Sequence, residues 1–489
     1  MTTQKGSTRD DLRFIIIGAG MSGILSAIKL QEAGFDYSIY EKADRLGGTW
    51  RENEYAGLAC DVPSHLYCYS FSPNPDWSHR FSPGAEIQQY FLEVANKFGI
   101  DKQIKFSTEI TRCEFENGRW QIELSDGSTD VGDFVIAATG VLHVPSYPDI
   151  EGLGSFEGET FHSARWNHDF DLKGKRVGVI GTGSTAIQIV GALIEDVEEL
   201  TLFQRTAQWV SPQENPAFTE EEKADFRDHP EKMTALRADI AKTFAEGFAN
   251  AVVDANSPEL AMIHDVCVNN LESSVQDADL REKLRPDYRA GCKRLIMSED
   301  FYDAIQQPSA HLVTEGIEQI EKAGVRTSDD KLHELDVLIL ATGFRVDRFM
   351  RPMEVIGRNG LALEEAWKDG PFAYMAITIP EFPNLFMLNG PNGPVGNFSL
   401  IDVAEMQFGY IMKLVEQVRT GACNEVSVSQ PAMERFDAER KEAAKSTIWQ
   451  SGCNSWYLDA NGVPAVWPWT FDRLRDEMDN PRFDDFDLV

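Results

Sequence analysis

Two glycine-rich turns, each set between a short apolar run and a helical pattern, constrain the fold of this 489-residue chain more than any other feature. The first turn is GAGMSG, which contains Gly18, Gly20 and Gly23 and follows the β-branched run RFIII. A second apolar run then ends at Glu41. This order of strand, turn, helix, strand and acid is typical of a dinucleotide site. There the glycines let the backbone approach a pyrophosphate at a helix N-terminus, and the acid bonds a ribose hydroxyl.

The second turn is GTGSTA, with Gly181, Gly183 and Ala186, and it follows the run RVGVI. Here the next apolar run ends in QRT rather than in an acid. A carboxylate at this position would repel a 2′-phosphate, whereas Arg205 can bind one through two parallel hydrogen bonds. The first site therefore suits FAD or NAD, and the second suits NADP.

The segments between and after the two turns complete the predicted organisation. Asn-Gly and Asp-Gly turns between residues 117 and 127 predict a three-stranded meander. The near copies FVIAATG (134–140) and VLILATG (337–343) predict buried strands at which the chain leaves the first domain and later returns. Residues 213–286 have helical periodicity. The predicted fold class is therefore α/β, with two Rossmann-like dinucleotide-binding domains, a β-meander and a helical insertion.

Charge and cysteine content exclude several classes of function. The formal net charge of −33 argues against a nucleic-acid partner and against docking on an anionic membrane surface. No apolar run approaches the roughly 18 residues that span a bilayer, and the N-terminal MTTQKGSTRDD has no apolar stretch of a signal peptide. Seven cysteines without a C-x-x-C pattern disfavour a disulfide framework, a metal site and a dithiol redox motif. We therefore expect a cytoplasmic protein with reduced thiols and no stable membrane insertion.

The stretch FEGETFHSARWN, between the two predicted domains, carries a resemblance to a known family. Together with the paired nucleotide turns it resembles the type I Baeyer–Villiger monooxygenases, through Phe156, Gly158, His162 and Trp166. Related flavin N- and S-oxygenases have tyrosine in place of the tryptophan, so this residue favours the branch that oxidises ketones. Asn167 departs from the family pattern, which has proline or aspartate there.

This resemblance implies a division of the chain into domains. Residues 1–145 would form the first part of a FAD-binding domain, and residues 334–489 its second part with a C-terminal segment that covers the cofactor. Residues 155–212 and 287–333 would form the NADP-binding domain, which the helical insertion at 213–286 interrupts.

The resemblance also assigns the flavin site. The segment GGTWRENEYAGLACDVPSHLYCYSF (47–71) is similar to the family's flavin segment, with Asp61 beside the flavin ring and Tyr67 near the ribityl chain. The residues that it implies for FAD are Gly18, Gly20, Ser22, Gly23, Glu41, Gly48, Thr49, Trp50, Arg51, Asp61, Tyr67, Ile110 and Leu400.

The NADP site and the catalytic residues follow from two more stretches. GCKRLIMSEDFYDAI resembles the segment that supplies the family's catalytic arginine, here Arg294, and CNSWY resembles the loop that covers the nicotinamide, here with Trp456. Asp61 would orient Arg294 as the second catalytic residue. The residues implied for NADP are Gly181, Thr182, Gly183, Ser184, Thr185, Gln188, Arg205, Thr206, Lys293, Arg294 and Trp456.

The implied activity is oxygen insertion next to the carbonyl of a small-molecule ketone, giving an ester or lactone. NADPH would reduce FAD, and O₂ would then give a C4a-peroxyflavin that attacks the ketone; sulfides could also be oxidised. Two alternatives stay open on the sequence: a flavin-containing N- or S-monooxygenase, and a non-oxygenating flavoprotein reductase or flavin-binding sensor. Aliphatic, cyclic and aryl ketones and any oligomeric state are compatible with the sequence.

Overall fold

A computed structural model describes residues 9–489 of the chain. The expectation that no signal peptide is present falls mainly on residues 1–8, which lie outside the described residues. The strands are β1 (Arg13–Ile17), β2 (Asp36–Tyr40), β3 (Ile104–Lys105), β4 (Ile110–Glu116), β5 (Arg119–Leu124), β6 (Thr129–Gly132), β7 (Phe134–Ala137), β8 (Glu159–His162), β9 (Arg176–Ile180), β10 (Glu199–Phe203), β11 (Val210–Pro212), β12 (Ile296–Ser298), β13 (Ala310–Val313), β14 (Ile317–Glu321), β15 (Gly324–Thr327), β16 (Leu332–Glu334), β17 (Val337–Leu340), β18 (Glu354–Ile356), β19 (Leu385–Met387), β20 (Val426–Val428) and β21 (Phe486–Leu488). The helices are α1 (Met21–Ala33), α2 (Thr49–Glu52), α3 (Gly84–Lys97), α4 (Ser184–Leu193), α5 (Glu220–Asp228), α6 (Pro230–Phe244), α7 (Pro258–Ser274), α8 (Ala278–Lys283), α9 (Phe301–Ile305), α10 (Leu363–Ala366), α11 (Leu400–Arg419), α12 (Gln430–Ala444) and α13 (Phe471–Asp479).

Two five-stranded parallel sheets form the frame of the molecule. The first has the order β19-β7-β1-β2-β3, and the second has the order β8-β17-β9-β10-β13. Strands β7, β1, β2 and β3 of the first sheet therefore hold the same places as β17, β9, β10 and β13 of the second. The central strands β7 and β17 are buried along their whole length, which explains why both read as continuous apolar runs rather than as alternating ones. The α/β fold with two Rossmann-like units, predicted from the two glycine-rich turns, is confirmed.

The connections between the sheets lie side by side. The hydroxyl of Thr342 donates to the carbonyl of Ser146 at 2.6 Å, and the backbone N–H of Ser146 donates to Gly343 at 2.8 Å. The chain thus leaves the first unit and returns to it through one place, as the paired ATG motifs predict. The expected boundary at 333/334 is nevertheless too early, because β17 pairs with β9 in the second sheet. The motif repeats because the two strands hold equivalent positions in two sheets.

The meander is larger than its turn signals predict. It is a four-stranded sheet of order β18-β4-β5-β6, in which β18 joins from more than 200 residues downstream and runs parallel to β4. A second meander, β14-β15-β16, packs on the second five-stranded sheet and was not predicted. Its strands are short and weakly alternating, so their sequences give little signal.

The predicted helical insertion is present, with α5, α6, α7 and α8 between residues 213 and 286 and no strand in that range. Local capping explains where its helices begin: Thr219 and Glu222 form a capping box at α5, and Pro258 stands in the first turn of α7. Cys267 and Leu271 of α7 pack into the core of the second unit. Across residues 9–489 no helix has the length and apolar character needed to cross a membrane.

One pair of cysteines contradicts the expectation of reduced thiols. Cys292 and Cys453 form a disulfide, with their Cα atoms 6.2 Å apart. The two residues are 161 positions apart in the chain, so only the tertiary fold brings them together and no local motif announces the pair. The remaining five cysteines are free and buried: Cys60, Cys68, Cys113, Cys267 and Cys423.

Candidate active site

The first glycine-rich turn leads from β1 into α1 and holds the acid that ends β2. A Cβ atom at Gly18 or Gly23 would overlap a backbone carbonyl oxygen, so neither position has room for a side chain. The carboxylate of Glu41 is buried and accepts hydrogen bonds from the N–H groups of Ala19 (2.8 Å) and Ala43 (2.9 Å). The turn and the acid therefore form one rigid unit at the carboxyl ends of the strands, where open α/β sheets bind ligands.

The predicted flavin segment packs against this turn. A Cβ atom at Gly20 would lie 3.3 Å from the Cα atom of Gly48, so the two backbones approach closely. Further along, the indole N–H of Trp50 donates to the hydroxyl of Tyr67 at 3.1 Å. Burial raises the pKa of this phenol, which keeps it neutral and available as a hydrogen-bond donor. Thr49 is exposed and Arg51 is half-buried, both in the short helix α2.

Residues predicted from distant parts of the sequence also reach the first turn. The amide of Asn389 donates to the hydroxyl of Ser22 at 3.4 Å and to the carbonyl of Leu400 at 3.2 Å. Ile110 is buried at the start of β4, directly after the connection in which the N–H of Thr108 donates to the carbonyl of Glu41. The structure thus brings the predicted FAD residues to one region.

Unsatisfied polar atoms in this region provide a test of whether it fits FAD. Nε of Arg51, Oδ1 of Asn389 and Oγ of Ser399 are buried, and none has a hydrogen-bond partner among the described residues. Burying a polar atom without a partner costs roughly 1–3 kcal/mol in proteins. A cofactor with phosphates, ring nitrogens and ring carbonyls supplies such partners, so the residues fit FAD.

The second turn leads from β9 into α4 in the same way. The hydroxyl of Thr182 donates to the carbonyl of Thr206 at 2.8 Å and ties the turn to the end of β10. A Cβ atom at Gly183 would meet nothing within 4 Å. Ser184 and Thr185, both half-buried, begin α4 behind it. This N-terminus therefore provides an open cradle of backbone N–H groups that suits a pyrophosphate.

Two cations at the edge of the second turn fit the 2′-phosphate of NADP. Burial lowers the pKa of Lys293, and the nearby charge of Arg205 lowers it further while Asp287 opposes the shift. Within the described part of the chain, neither Arg205 nor Lys293 has an acidic group within ion-pair distance, and Lys293 lies 4.9 Å above the ring of Tyr288. Neighbouring cations that repel each other without an ion-paired carboxylate are stabilised by a bound anion.

The two nucleotide units meet at Gln188 of α4. Its amide donates to the carbonyl of Ala59 at 3.1 Å, and its oxygen accepts from the hydroxyl of Tyr55 at 2.9 Å. A Cβ atom at Gly57 would overlap the backbone of the same helix. Gln188 therefore joins α4 to the flavin segment just ahead of Asp61, and its contact with NADP stays a prediction.

Arg294 and Asp61 form the ion pair that joins the two units at the centre of the site. Nε of Arg294 donates to Oδ2 of Asp61 at 3.2 Å, and Nη2 donates to the same oxygen. The side chains are 33% and 27% exposed, so the pair is partly screened from water and still reachable by a ligand. The negative charge of Asp61 raises the pKa of Arg294, which keeps the guanidinium cationic at any working pH.

The residues of the FEGETFHSARWN stretch stabilise the connection between the sheets. His162 is buried at the end of β8, where its Nε2 donates to the carbonyl of Gly343 at 3.1 Å. Burial lowers the pKa of this imidazole, so it is neutral at pH 7. Asn167, the departure from the family pattern, donates to the carboxylate of Glu159 at 2.7 Å. A local hydrogen bond to Glu159 therefore accommodates asparagine at this position.

The loop with Trp456 contains a residue that the sequence analysis missed. Trp456 is 40% exposed, so it is not a core tryptophan. Its neighbour Tyr457 is 3% exposed, and its hydroxyl interacts with the Arg294 guanidinium. A Cβ atom at Gly396 would overlap that hydroxyl, so the glycine provides the space for it. The only sequence signal for Tyr457 is its place at the end of CNSWY.

Comparison with known proteins agrees with this arrangement. Residues 11–217 match the family model for flavin-binding monooxygenase-like proteins. An uncharacterised monooxygenase of Mycobacterium tuberculosis (strain ATCC 25618 / H37Rv) is 44% identical over 476 residues, which cover 97% of this chain and 95% of the relative. A Baeyer–Villiger monooxygenase of Streptomyces coelicolor is 39% identical over 474 residues, covering 96% and 91%. The crystal structure of cyclohexanone monooxygenase from Rhodococcus sp. Phi1 bound to NADP⁺ has a TM-score of 0.85 at 30% identity, covering 98% of this chain and 99% of that one. The chain therefore belongs to the Baeyer–Villiger monooxygenases, a family of NADPH-dependent flavoprotein monooxygenases.

Proposed function

We propose that this enzyme inserts one atom of O₂ next to the carbonyl of a small-molecule ketone and releases an ester or lactone, with FAD and NADPH as cofactors. When bound, FAD accepts hydride from NADPH and activates O₂. The observation that supports the proposal is the Arg294–Asp61 pair, because residues 233 positions apart place a fixed cation between the two nucleotide units. The cyclohexanone substrate of the Rhodococcus neighbour makes cyclic ketones the first class to test.

Arg294 is the proposed catalytic residue. Oxygen insertion places negative charge on the oxygen of the substrate carbonyl, and a cation fixed in a site with little water stabilises that charge without reorganisation. A lysine would supply a charge at one point only, whereas the guanidinium can hold an oxyanion and Asp61 at the same time. Asp61 orients the guanidinium and offsets its charge while no substrate is bound.

The residues proposed to bind FAD and those proposed to bind NADPH differ in the chemical groups that they present. The first turn and Glu41 would hold FAD, since a buried acid suits a ribose hydroxyl. Arg205, Thr206 and Lys293 would hold the 2′-phosphate of NADPH. Trp456, exposed beside Tyr457, would cover the nicotinamide.

We further propose that the enzyme works in the cytoplasm without a nucleic-acid partner. The net charge of −33 supports this, because nucleic acids bind surfaces rich in lysine and arginine. The cytoplasm keeps thiols reduced, so a disulfide there is usually transient or regulatory. Whether the Cys292–Cys453 disulfide is formed or reduced in the cytoplasm therefore bears on how the enzyme works there.

The test of the proposed function is the variant Arg294→Ala, assayed with a ketone panel. We expect it to retain FAD and to oxidise NADPH but to form ester at less than about one hundredth of the wild-type rate. Oxygen-18 from O₂ in the wild-type product checks the source of the inserted atom. Arg289→Ala is the matched control, because Arg289 is an exposed arginine in the same segment that donates to the carbonyl of Ala255.

Three outcomes separate the alternatives. Ester formation by Arg294→Ala at near wild-type rate would remove Arg294 from the catalytic role. Oxidation of sulfides or amines without any ester from the wild type would favour a heteroatom oxygenase. Hydrogen peroxide as the sole product with every substrate would favour a non-oxygenating flavoprotein.

A further inference from the structure

The disulfide between Cys292 and Cys453 connects the two segments that meet at the proposed catalytic arginine. Cys292 lies two residues before Arg294, and Cys453 lies four residues before Tyr457. The same two segments also meet through the interaction between Tyr457 and Arg294. The bond therefore joins the two segments covalently, close to the place where the C-terminal segment contacts the arginine.

Few hydrogen bonds hold the C-terminal loop in place. In the described part of the chain, residues 451–456 make hydrogen bonds only within 448–458, with one exception: the hydroxyl of Ser451 donates to the sulfur of Cys292 at 3.2 Å. Ser451, Gly452, Asn454 and Trp456 are exposed. A segment with exposed backbone and few hydrogen bonds opens at low free-energy cost, so the disulfide and the apolar packing of Cys453 are what anchor it.

The two cysteines differ in their exposure. Both belong to one small apolar cluster with Val252 and Leu260 of the helical insertion and Trp449, and Cys292 is fully buried within it. Cys453 is 8% exposed and has exposed neighbours on both sides. A thiol reagent therefore reaches the bond from the Cys453 side when the loop fluctuates, and the protected Cys292 thiol remains in position to re-form it.

We propose that Cys292 and Cys453 are a reversible redox modification site that controls whether the C-terminal loop is fastened to the arginine segment. With the disulfide formed, Trp456 and Tyr457 are held at the site; with two free thiols, the loop is released. The proposal rests on the proposed function for the roles of Arg294 and Trp456. The existence of the disulfide and the fastening of the loop can be measured without that function.

Reduction of the disulfide and its re-formation both balance in atoms and electrons. A small dithiol reduces the bond by two successive exchange steps, transfers two electrons and two protons, and leaves as its own disulfide. In the reverse direction, hydrogen peroxide oxidises one thiol to a sulfenic acid with release of water. The second thiol then attacks that sulfur, forms the disulfide and releases a second water. Hydrogen peroxide is also what NADPH and O₂ yield when oxidation is not coupled to a ketone, so shortage of substrate would favour the fastened state.

The first measurement is a count of thiols on the full-length holoenzyme. Protein purified in air and alkylated after unfolding should show five modified cysteines, and protein treated first with a dithiol should show seven. Brief treatment with hydrogen peroxide should return the count from seven to five. Seven alkylated cysteines in the untreated and peroxide-treated samples would overturn the proposal.

The second measurement reports the loop directly. Chymotrypsin should cleave after the exposed Trp456 at least about tenfold faster in the reduced enzyme than in the oxidised one. Cys453→Ser should show the fast rate with and without dithiol, and Cys292→Ala serves as a second variant if Cys453→Ser does not fold. Cys267→Ala is the control, since Cys267 is a buried free cysteine in α7, and its cleavage should follow the wild type. Equal cleavage of the oxidised and reduced wild type would also overturn the proposal.

The third measurement links the site to turnover. Reduced enzyme and Cys453→Ser should release severalfold more hydrogen peroxide per NADPH in the presence of ketone, while bound FAD is unchanged. An unaltered peroxide fraction would limit the pair to a structural bond and overturn its control of the site. If no ketone gives ester in either redox state, the proposed function fails, whereas the thiol count and the cleavage rates still decide the redox site.

Discussion

The two dinucleotide-binding units of this enzyme share strand order and turn geometry and differ at the end of the second strand. In the first unit β2 ends before Glu41, a buried carboxylate that accepts from two backbone N–H groups of its own unit. In the second, β10 ends before Gln204, whose buried amide donates to the carbonyl of Lys283 at 2.7 Å, and the exposed Arg205 follows. One unit therefore presents an acid and the other a cation, on nearly the same backbone.

From this difference we expect that the fold provides the place for a dinucleotide and that the residues after the second strand decide which dinucleotide is bound. The glycine-rich turns are set by steric limits that are independent of the cofactor, because added Cβ atoms at Gly18 and Gly181 would each approach a carbonyl oxygen. The residues after the second strand differ instead in their hydrogen-bond partners, since Glu41 accepts from the turn at Ala19 whereas Gln204 donates to the carbonyl of Lys283. The charge at this position is therefore set by those partners rather than by a steric limit.

The largest expected effect comes from the third position of the first turn. In Gly23→Ala the new Cβ would overlap the carbonyl oxygen of Gly18, which directly follows β1, a strand paired on both sides. We expect the variant to lose most bound FAD and its melting temperature to fall by roughly 5–10 °C. Flavin absorbance per protein and a thermal melt measure the two effects.

The second unit supplies the matched control for that prediction. Its third position is already an alanine, Ala186, which is fully buried. Ala186→Gly should keep FAD and cost about 1 kcal/mol of unfolding free energy, the usual difference between the two residues in a helix. Full retention of FAD by Gly23→Ala, or loss of FAD in Ala186→Gly, would break the distinction between the units.

An exchange at the strand ends should have the next largest effect. Glu41→Gln leaves one of the two backbone N–H groups without an acceptor and removes the charge. We expect the dissociation constant of FAD to rise by about ten- to a hundredfold. Titration of the apoprotein with FAD measures this.

The reciprocal variant is Gln204→Glu. Its carboxylate would face the carbonyl oxygen of Lys283 in a buried position, so the second unit should lose affinity for NADPH while FAD stays bound. If both exchanges leave cofactor affinities within about twofold, the strand ends do not decide the cofactor.

Removal of the cation tests the choice between NADPH and NADH. Arg205→Ala should raise KM for NADPH by about tenfold and KM for NADH by less than about twofold, because only NADPH carries the 2′-phosphate. Steady-state kinetics with both coenzymes give the ratio, and Arg289→Ala should leave it unchanged. An unaltered ratio in Arg205→Ala would show that Arg205 does not bind the phosphate.

The smallest effect is expected at Gly183. A Cβ atom there meets no protein atom within 4 Å, whereas a Cβ atom at the equivalent Gly20 lies 3.3 Å from the backbone of Gly48. Gly183→Ala should therefore leave the melting temperature within about 2 °C of the wild type and raise KM for NADPH a few fold, because only the bound coenzyme approaches the turn. A clear loss of stability would mean that the turn itself needs the glycine.

Much of the frame could be read from the sequence because its signals are local. β1 and β9 match the predicted runs residue for residue, since a strand buried on both faces must be apolar throughout. The helical insertion and the two turns follow from periodicity and glycine spacing. The fourth strand of the first meander was missed because pairing with a distant partner leaves no mark in a run of three residues. The second meander was missed because its short strands alternate only weakly.

The residues of the site also fall into those that local sequence predicts and those that only the packing of distant segments places. Arg205, Glu41 and the turn glycines are determined by the sequence, because their roles depend on neighbours a few residues away. The tertiary structure supplied the ion pair of Arg294 with Asp61, which the family resemblance implied. It alone decided that Tyr457 interacts with the same guanidinium and that Cys292 bonds to Cys453. Each of these contacts joins residues more than 150 positions apart, and the positions of such partners depend on how whole sheets and loops pack rather than on any local preference.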